Sequence, residues 1–551
     1  NNLLLNNIGI DTQKWYDIFN NIDKFHEDSY TKIIDIFISL DINLFDDKIK
    51  LSISTILRDK IHSHRKFFDA DWSLPKILID KLEVAFNFIE PNILIDKYFY
   101  LFNMGSIDIL NPTPYKSEDV KSYEKDDELI QELRKEAIIE ILENDGFSAL
   151  MLLIQKIEYA GDIGRLLFLI TDNKYHDEIF EWLNSKELNL LVCAKSYISN
   201  MPFDKSILNN LNDIQVSEVL LALRFNSILF ETLKEQNKNI QKLYWENISN
   251  HYYRVDDKDI SYINWIIEQL IKYKQYMKAV SFISNLFYMM KTHELNLDIN
   301  LLTKVLIEIE PNKERLDSHS IAKIIKFLQS SDLEFTKIQM LEWKYIKLNQ
   351  VKPTHWEKDI ILNPKTFVQL VSFVCKPKKE RNEDDGLTQE QITNRANNSY
   401  SLLDKISLFS EYDEIEKLNS EKLKAWIFEA RQEFKNVDRV EIGEDRIGKL
   451  LAKSPKGEDG IFPCEATRDV LNEISNDIID IAFIIGKQNL RGVTMRAYDD
   501  GGEQEYTLAE VYKKDANELK YTHSKVSSIL NKLSETYEKD GERQDLSNEL
   551  N

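Results

Sequence analysis

The sequence predicts an all-α protein, built largely as an irregular α-solenoid of helical hairpins of the HEAT or TPR kind, with a helical module at its C-terminal end. Three observations favour this fold class. Glycine and proline are scarce, at 15 and 11 of 551 residues, whereas an all-β chain of this length needs many more turn residues. Apolar residues recur at the i, i+3 and i+4 spacing of one helix face. Strand-like alternation is rare.

Helical spacing is clearest in the middle of the chain. A polar break at 272–276 separates the first two apolar stripes and predicts a helical hairpin, and Pro311 and Asn312 separate the third stripe from the fourth. The hairpins share neither a repeat length nor a consensus, which argues against regular ankyrin or leucine-rich repeats. The stripes are Ile260, Ile263, Ile267, Leu270 and Ile271; Ala279, Phe282, Ile283, Leu286, Phe287 and Met290; Leu302, Val305, Leu306 and Ile309; Ile321, Ile324, Ile325 and Leu328; and Phe335, Ile338, Leu341 and Tyr345.

Three polar stretches predict how the chain is divided. Prolines at 112 and 114 open a polar run that blocks helix continuation, 376–398 has the composition of a mobile loop, and 454–460 predicts a second loop. We therefore expect an N-terminal helical unit over 1–115, a central helical-repeat solenoid over 116–352, and a C-terminal helical module over 353–551 with the mobile loop near 376–398.

Charge and composition limit the partners and the location of the chain. The formal net charge of −22 repels phosphate backbones, so no direct nucleic-acid partner is expected. The three cysteines lie far apart, which predicts a reducing compartment, and no apolar stretch reaches the ~18 residues of a membrane span. We expect a cytoplasmic chain with no membrane association. Because the sequence begins at Asn1 without Met, we also expect a fragment of a longer polypeptide.

No catalytic residue, metal ligand or cofactor is predicted. His62 and His64 are two residues apart and therefore do not share a helix face, and no carboxylate or cysteine completes a metal set at familiar spacing. Nothing nominates a base for Cys464. Segment 443–449 fits GxxxxGK, but Leu450 follows in place of Ser or Thr, so it does not predict a nucleotide-binding loop.

An aromatic segment is the first candidate for a partner-binding surface. Four aromatic residues so close together cannot all face one core, and aromatic and arginine side chains are the usual anchors of protein interfaces. The alternative is that the rings pack between adjacent hairpins. The candidate anchors are Tyr244, Trp245, Tyr252, Tyr253 and Arg254.

A polar, glycine-containing segment near the C-terminus is the second candidate. Two arginines, Arg491 and Arg496, precede two aspartates, Asp499 and Asp500, and together they predict a recognition surface. The alternative is a structured helix–loop–helix in which Asp500 caps a helix that starts near Glu503.

The chain also resembles a group of bacterial proteins through its short motifs. Segments HRKFFDADWSLP (64–75), LEWKY (341–345), RGVT (491–494) and DGGEQE (500–505) look like segments near the C-terminal ends of very large, mostly uncharacterised bacterial proteins. The resemblance spans nearly the whole chain. Those proteins are similar in layout to STAND-type NTPases of antiphage defence, which carry an effector, an NTPase and then a helical-repeat sensor.

This resemblance implies a function and a class of partner. The chain would be the ligand-sensing region of a large defence protein, binding a phage-derived protein or other subunits of a defence complex. It has no P-loop, so an NTPase would lie upstream, and no catalytic residue carries over. Two other functions stay open: a stand-alone scaffold that assembles cellular proteins, and a metal-dependent nuclease with a dispersed acidic site.

Overall fold

The regular secondary structure of the described part of the chain is helical. The computed structural model describes residues 12–103, 107–115, 121–249, 257–289, 296–311, 315–378, 386–412, 415–495 and 500–550. Within these ranges there are 28 α-helices and five short 3-10 helices but no strand, and the β-type pairing is limited to one isolated bridge between Tyr412 and Ile415. The all-α prediction is confirmed.

The chain divides into two compact units, Asn1–Tyr262 and Ile263–Asn551. This division lies inside the segment predicted as a central solenoid, 116–352. The boundaries expected near 115 and 352 stay predictions.

The first unit contains fourteen α-helices among its described residues. They are α1 (Thr12–Asn20), α2 (Glu27–Ile38), α3 (Asp47–Lys66), α4 (Lys76–Ile89), α5 (Leu94–Tyr98), α6 (Tyr100–Asn103), α7 (Lys121–Asn144), α8 (Gly146–Lys156), α9 (Ala160–Ile170), α10 (His176–Glu181), α11 (Leu188–Ser199), α12 (Asp213–Ala222), α13 (Ser227–Glu235) and α14 (Lys238–Asn247). The 3-10 helices are Ile22–Lys24, Ile42–Leu44, Trp182–Asn184, Lys205–Leu208 and Asp257–Tyr262.

The described residues of the second unit also form fourteen α-helices. They are α15 (Ile263–Lys272), α16 (Tyr276–Met289), α17 (Ile299–Glu308), α18 (Ser318–Gln329), α19 (Phe335–Lys344), α20 (Thr354–Leu362), α21 (Pro364–Val374), α22 (Gln389–Lys405), α23 (Ser420–Asn436), α24 (Val440–Leu451), α25 (Glu465–Ile474), α26 (Asp477–Asn489), α27 (Glu503–Leu519) and α28 (Ser524–Leu550).

Asparagine side chains start many of these helices. Asn212, Asn226 and Asn237 each accept hydrogen bonds from two backbone N–H groups at the beginnings of α12, α13 and α14. Asn476 caps α26 in the same way, and Asn419 caps α23 by accepting one hydrogen bond, from the Lys422 N–H. The side-chain oxygen satisfies N–H groups that have no partner inside the helix, which defines where each short helix begins.

Most residues of the apolar stripes read from the sequence lie on the buried faces of helices α15 to α19. Ile260 lies before α15, in a 3-10 helix, and is partly buried, and Met290 lies outside the described residues. In the first stripe, Ile263, Ile267 and Leu270 are buried, and the polar break is confirmed because α15 ends at Lys272 and α16 starts at Tyr276. All four residues of the third stripe are fully buried. Phe335 is an exception: it starts α19 and is 41% exposed.

Helices pack mainly on their neighbours in the chain. Among the described helices, extensive contacts join elements that are at most three positions apart in chain order, for example α15 with α16 and α17, or α16 with α18. Long returns of the chain across a unit are therefore not needed to form its core. This locality is what stacked helical hairpins produce.

Buried side chains form separate cores along the chain. In the first unit one core is built on 15–89 and another on 101–219. In the second unit a core extends over 346–537 and joins helices α20 to α28.

The segment predicted as a mobile loop, 376–398, is partly helical. Residues 379–385 lie outside the described part, but α22 already begins at Gln389. Thr388 accepts the Gln391 N–H and the Gln391 side chain accepts the Thr388 N–H, a reciprocal arrangement that starts a helix. The loop prediction is therefore wrong from Gln389 onward. The first turns of this helix are polar and resemble a loop in composition, and its buried residues begin only at Ser399 and Leu402.

Candidate protein-binding surface

Two residues of the aromatic candidate, Tyr244 and Trp245, lie in α14, and both rings point into the core. Tyr244 is 2% exposed and Trp245 is fully buried, with ring centroids 5.1 Å apart and nearly perpendicular planes. Ile240 and Ile248 are buried at the same four-residue spacing as Tyr244. A partner that docks on the folded surface does not reach these two rings, so their burial conflicts with the anchor role expected for them and matches the packing alternative.

The rest of the aromatic candidate cannot be placed. Tyr252, Tyr253 and Arg254 lie outside the described residues.

The second candidate begins where α26 ends at Asn489. Leu490 follows, and Gly492 adopts a left-handed backbone conformation with φ of 67°, which glycine tolerates without steric cost. The described chain continues to Met495 and resumes at Asp500, so Arg496 and Asp499 lie outside the described residues.

Arg491 holds this loop to the start of α27. Its Nη1 donates to the Glu505 carboxylate at 2.5 Å, and its Nη2 donates to the Gln504 side-chain oxygen at 3.2 Å. Glu505 is 2% exposed. Since the guanidinium is engaged with a buried carboxylate, Arg491 positions the loop rather than facing a partner freely.

Gln504 adds a second connection at the same place. Its side-chain amide donates to the backbone carbonyl of Met495 at 3.1 Å. The loop is therefore fastened to the first turn of α27 at both Arg491 and Met495.

Helix α27 is in turn anchored on α28. Asp545 accepts a hydrogen bond from the Gly502 N–H and another from the Tyr506 hydroxyl, both at 2.7 Å. These bonds stabilise the ionised carboxylate: hydrogen bonding by Tyr506, and then by Gly502, lowers the pKa of Asp545, while the Asp545 bond raises the pKa of Tyr506 to about 12.

Glycine makes this close approach of α27 and α28 possible. A Cβ atom at Gly502 would lie 2.4 Å from the Gly541 carbonyl oxygen, closer than real contacts allow. The alternative in which Asp500 caps α27 is correct for the helix start, at Glu503, but the cap position is occupied by Gly502, which has no side chain to cap the helix.

Two apolar side chains project from the fastened loop. Val493 is fully exposed and Met495 is 94% exposed, with Leu490 half-exposed beside them. Single exposed apolar residues are ordinary, but several on one short, held loop are typical of a contact site. We call the segment Leu490–Met495 the apolar loop.

In this segment the sequence predicts a recognition surface at Arg491, Arg496, Asp499 and Asp500, but it does not nominate Val493 or Met495. The available signal was the presence of two apolar residues, at positions 493 and 495, in a polar, glycine-containing segment.

Three other features are not seen among the described residues: a cluster of metal ligands, a membrane-spanning helix and a GxxxxGK loop. They contain no group of three or more His, Cys, Asp or Glu side chains arranged to hold a metal ion. No described helix is long and apolar enough to cross a membrane. The GxxxxGK segment is part of helix α24 and does not form a loop.

Comparison with known proteins adds no family to this picture. No model of a known protein family matches the chain, and the comparisons with curated proteins and with solved structures likewise return no match.

Proposed function

We propose that this chain is a protein-binding helical-repeat region, an irregular α-solenoid of HEAT- or TPR-like hairpins followed by a C-terminal helical module. The locality of helix contacts supports the solenoid, because stacked hairpins touch only their neighbours. Such stacks present extended surfaces on which proteins dock.

The apolar loop is the observation that carries the binding proposal. Val493 and Met495 offer apolar area to a partner, while the bonds from Arg491 and Gln504 limit the freedom of the loop. A loop that is already ordered loses less conformational entropy on binding, so more of the contact free energy appears as affinity. Methionine suits such a site because its flexible side chain adapts to different surfaces.

A more specific proposal, about the biological role of the chain, rests on the sequence resemblance. In it, the chain is the cytoplasmic ligand-sensing part of a large bacterial antiphage protein, and the ligand is a phage-derived protein. The scaffold function remains the alternative. Both require a protein partner, and they differ in whether binding depends on infection.

A phage-challenge experiment tests the proposal. The complete reading frame that contains this chain is expressed in a bacterial host, and plating efficiency is measured for a panel of phages. We expect protection by the wild type and its loss with Val493→Ser/Met495→Ser. Tyr521→Ser is the matched control, because Tyr521 is 91% exposed but lies in the turn between α27 and α28; it should keep protection.

Escape phages then identify the ligand. The protein altered in them is purified, and its binding to this chain is measured by calorimetry, with and without the two loop substitutions. Absence of protection in the wild type removes the defence proposal. Protection that survives the double substitution, at unchanged protein level, removes the apolar loop as the binding site.

A further inference from the structure

A group of exposed aromatic side chains lies in the first unit, at the C-terminal end of α3. Phe67 directly follows that helix, and Phe68 and Trp72 lie in the turn that leads towards α4. The fourth ring, Tyr115, belongs to the segment 107–115. All four side chains are exposed, Phe68 to 49% and Trp72 to 56%. We call these four residues the Trp72 cluster.

Three of the rings touch each other. The Phe67 ring centroid lies 5.9 Å from that of Trp72 and 5.6 Å from that of Tyr115, with tilted planes in both pairs. The Trp72 ring also lies 5.4 Å from the ring of His64, which is buried beneath it. Scattered single apolar residues are ordinary at a protein surface, but a contiguous group of aromatic rings is typical of a contact site.

Hydrogen bonds hold both segments of the Trp72 cluster in place. The Tyr115 N–H donates to the Lys66 carbonyl at 2.7 Å, which fixes the segment 107–115 to the end of α3. On the other side of the turn, Ser73 Oγ donates to the His64 carbonyl at 2.9 Å, and the Leu74 N–H donates to His64 Nδ1 at 3.2 Å. The cluster is therefore ordered before a partner arrives, so less conformational entropy is lost on binding.

Two carboxylates lie in the same turn as the rings. Asp69 and Asp71 are exposed, and among the described residues neither carboxylate has an ion pair or a hydrogen bond. Of the lysines on either side of the turn, Lys66 is paired with Asp126 at 3.4 Å, and Lys76 is exposed at the start of α4. The turn is therefore negative on balance, as is the whole chain with its net charge of −22.

Helix α7 adds negative charge beside the Trp72 cluster. Asp126 accepts a hydrogen bond from the Thr113 N–H at 2.6 Å, which brings the beginning of α7 next to the segment that carries Tyr115. The exposed charged residues around Asp126 are three acids and one lysine: Glu124, Lys125, Asp127 and Glu128. Exposed aromatic faces and an excess of carboxylates thus occur together on one part of the surface.

From these observations we propose that the Trp72 cluster binds a basic, arginine-containing segment of a partner protein. A guanidinium group is planar and weakly hydrated, so it stacks on an aromatic face and still donates hydrogen bonds to a carboxylate. Trp72 supplies that face, and Asp69 and Asp71 accept from the guanidinium. A lysine of the same charge satisfies the carboxylates but lacks the planar group that stacks.

Charge and position separate this surface from other sites. Its carboxylates repel nucleic acid and anionic lipid, which leaves a basic protein segment as the occupant that suits both the rings and the charge. The Trp72 cluster belongs to the first unit and the apolar loop to the second. The proposal therefore does not rest on the binding role of the apolar loop.

Titration with synthetic peptides tests the proposal. The full chain is titrated by calorimetry, at constant ionic strength, with a short peptide of alternating arginine and glycine and with its lysine analogue. The two peptides carry the same charge, so the ratio of their affinities reports stacking rather than general attraction to an acidic protein. We expect the arginine peptide to bind about threefold more tightly than the lysine peptide.

Replacement of the indole is the first variant. Trp72→Ala should weaken binding of the arginine peptide about fivefold and should remove its advantage over the lysine peptide. Phe428→Ala is the matched control, because Phe428 is an aromatic residue, 65% exposed, that precedes an exposed acid, Glu429, in the second unit. This control should bind both peptides as the wild type does.

Replacement of the carboxylates keeps the test open if Trp72→Ala does not fold. Asp69→Asn/Asp71→Asn preserves the shape of the turn and should weaken both peptides about fivefold. Glu535→Gln/Glu538→Gln is the matched control, since it removes two exposed carboxylates from α28 and changes the net charge of the chain equally. Circular dichroism establishes that each variant is folded.

Four results would overturn the proposal. They are a dissociation constant weaker than about 1 mM for the arginine peptide, equal affinities for the two peptides, and losses in the folded variants no larger than in their matched controls. The fourth is a dimer in sedimentation that Trp72→Ala dissociates, because a second copy of the chain would then cover the cluster.

Discussion

The two segments that the sequence predicts to bind a partner differ in how far their apolar side chains are exposed in the folded chain. In α14 the large aromatic residues Tyr244 and Trp245 are buried, and in the apolar loop the smaller Val493 and Met495 are exposed. The aromatic segment was selected because such residues dominate interfaces, but they dominate cores for the same reason, a large apolar area. Residue type alone therefore does not separate an anchor from a core residue.

The most sensitive test of this comparison is Trp245→Ala. Removing a fully buried indole should destabilise the first unit by about 3–5 kcal/mol, through lost burial and the cavity left behind. Urea unfolding followed by circular dichroism measures the loss. Trp72→Ala is the control, since Trp72 is 56% exposed in the same unit. Equal losses in the two variants would show that Trp245 is not a core residue.

The next largest effect is expected at the base of the apolar loop. Arg491→Met leaves the buried Glu505 carboxylate without its cation, which should cost about 3 kcal/mol. Arg543→Met removes an exposed partner of Asp540 and should cost less than about 1 kcal/mol. Both are measured by chemical denaturation. Combining Arg491→Met with Glu505→Leu should recover part of the loss; no recovery would contradict a pairwise contact.

A smaller effect on stability is expected when the pH is lowered. The pKa of Asp545 is lowered in the folded chain by Tyr506 and Gly502, so its contribution is present above the unfolded value of about 3.9 and is lost as pH falls through the folded value. The Gly502 amide resonance in NMR should therefore shift with a midpoint below about 3.9. Asp545→Asn should lack this transition. A midpoint at or above the unfolded value would contradict the assignment.

The smallest effect on stability is expected in the apolar loop, where we expect the largest effect on partner binding. Val493→Ser and Met495→Ser remove exposed apolar groups and should each change the free energy of unfolding by no more than about 0.5 kcal/mol. Thermal melting checks this. A loss above about 1 kcal/mol would mean that these side chains pack in the fold, and the contrast with Trp245 would disappear.

The helical class and much of the core can be predicted from the sequence alone. The i, i+3, i+4 stripes of α15 to α19 became buried faces, and the break between α15 and α16 was read correctly. These features are local, since periodicity reports which face of a helix is apolar and polar breaks report where it ends. The helix start at Gln389 was missed because the short polar signal of Thr388 and Gln391 is hidden in a polar segment.

Which side chains stay exposed, and which ones come into contact, depends on how the helices pack against each other. Arg491 finds a buried carboxylate fourteen residues away, across a turn, and Asp545 reaches Gly502 from the far end of the last helix. A cavity of about 120 Å³, lined by Phe367, Tyr400, Arg446 and Asn489 among others, takes its walls from helices α21, α22, α24 and α26, which span more than a hundred residues of sequence. Local periodicity cannot specify such contacts, because they depend on which neighbouring helix covers each face and at what distance.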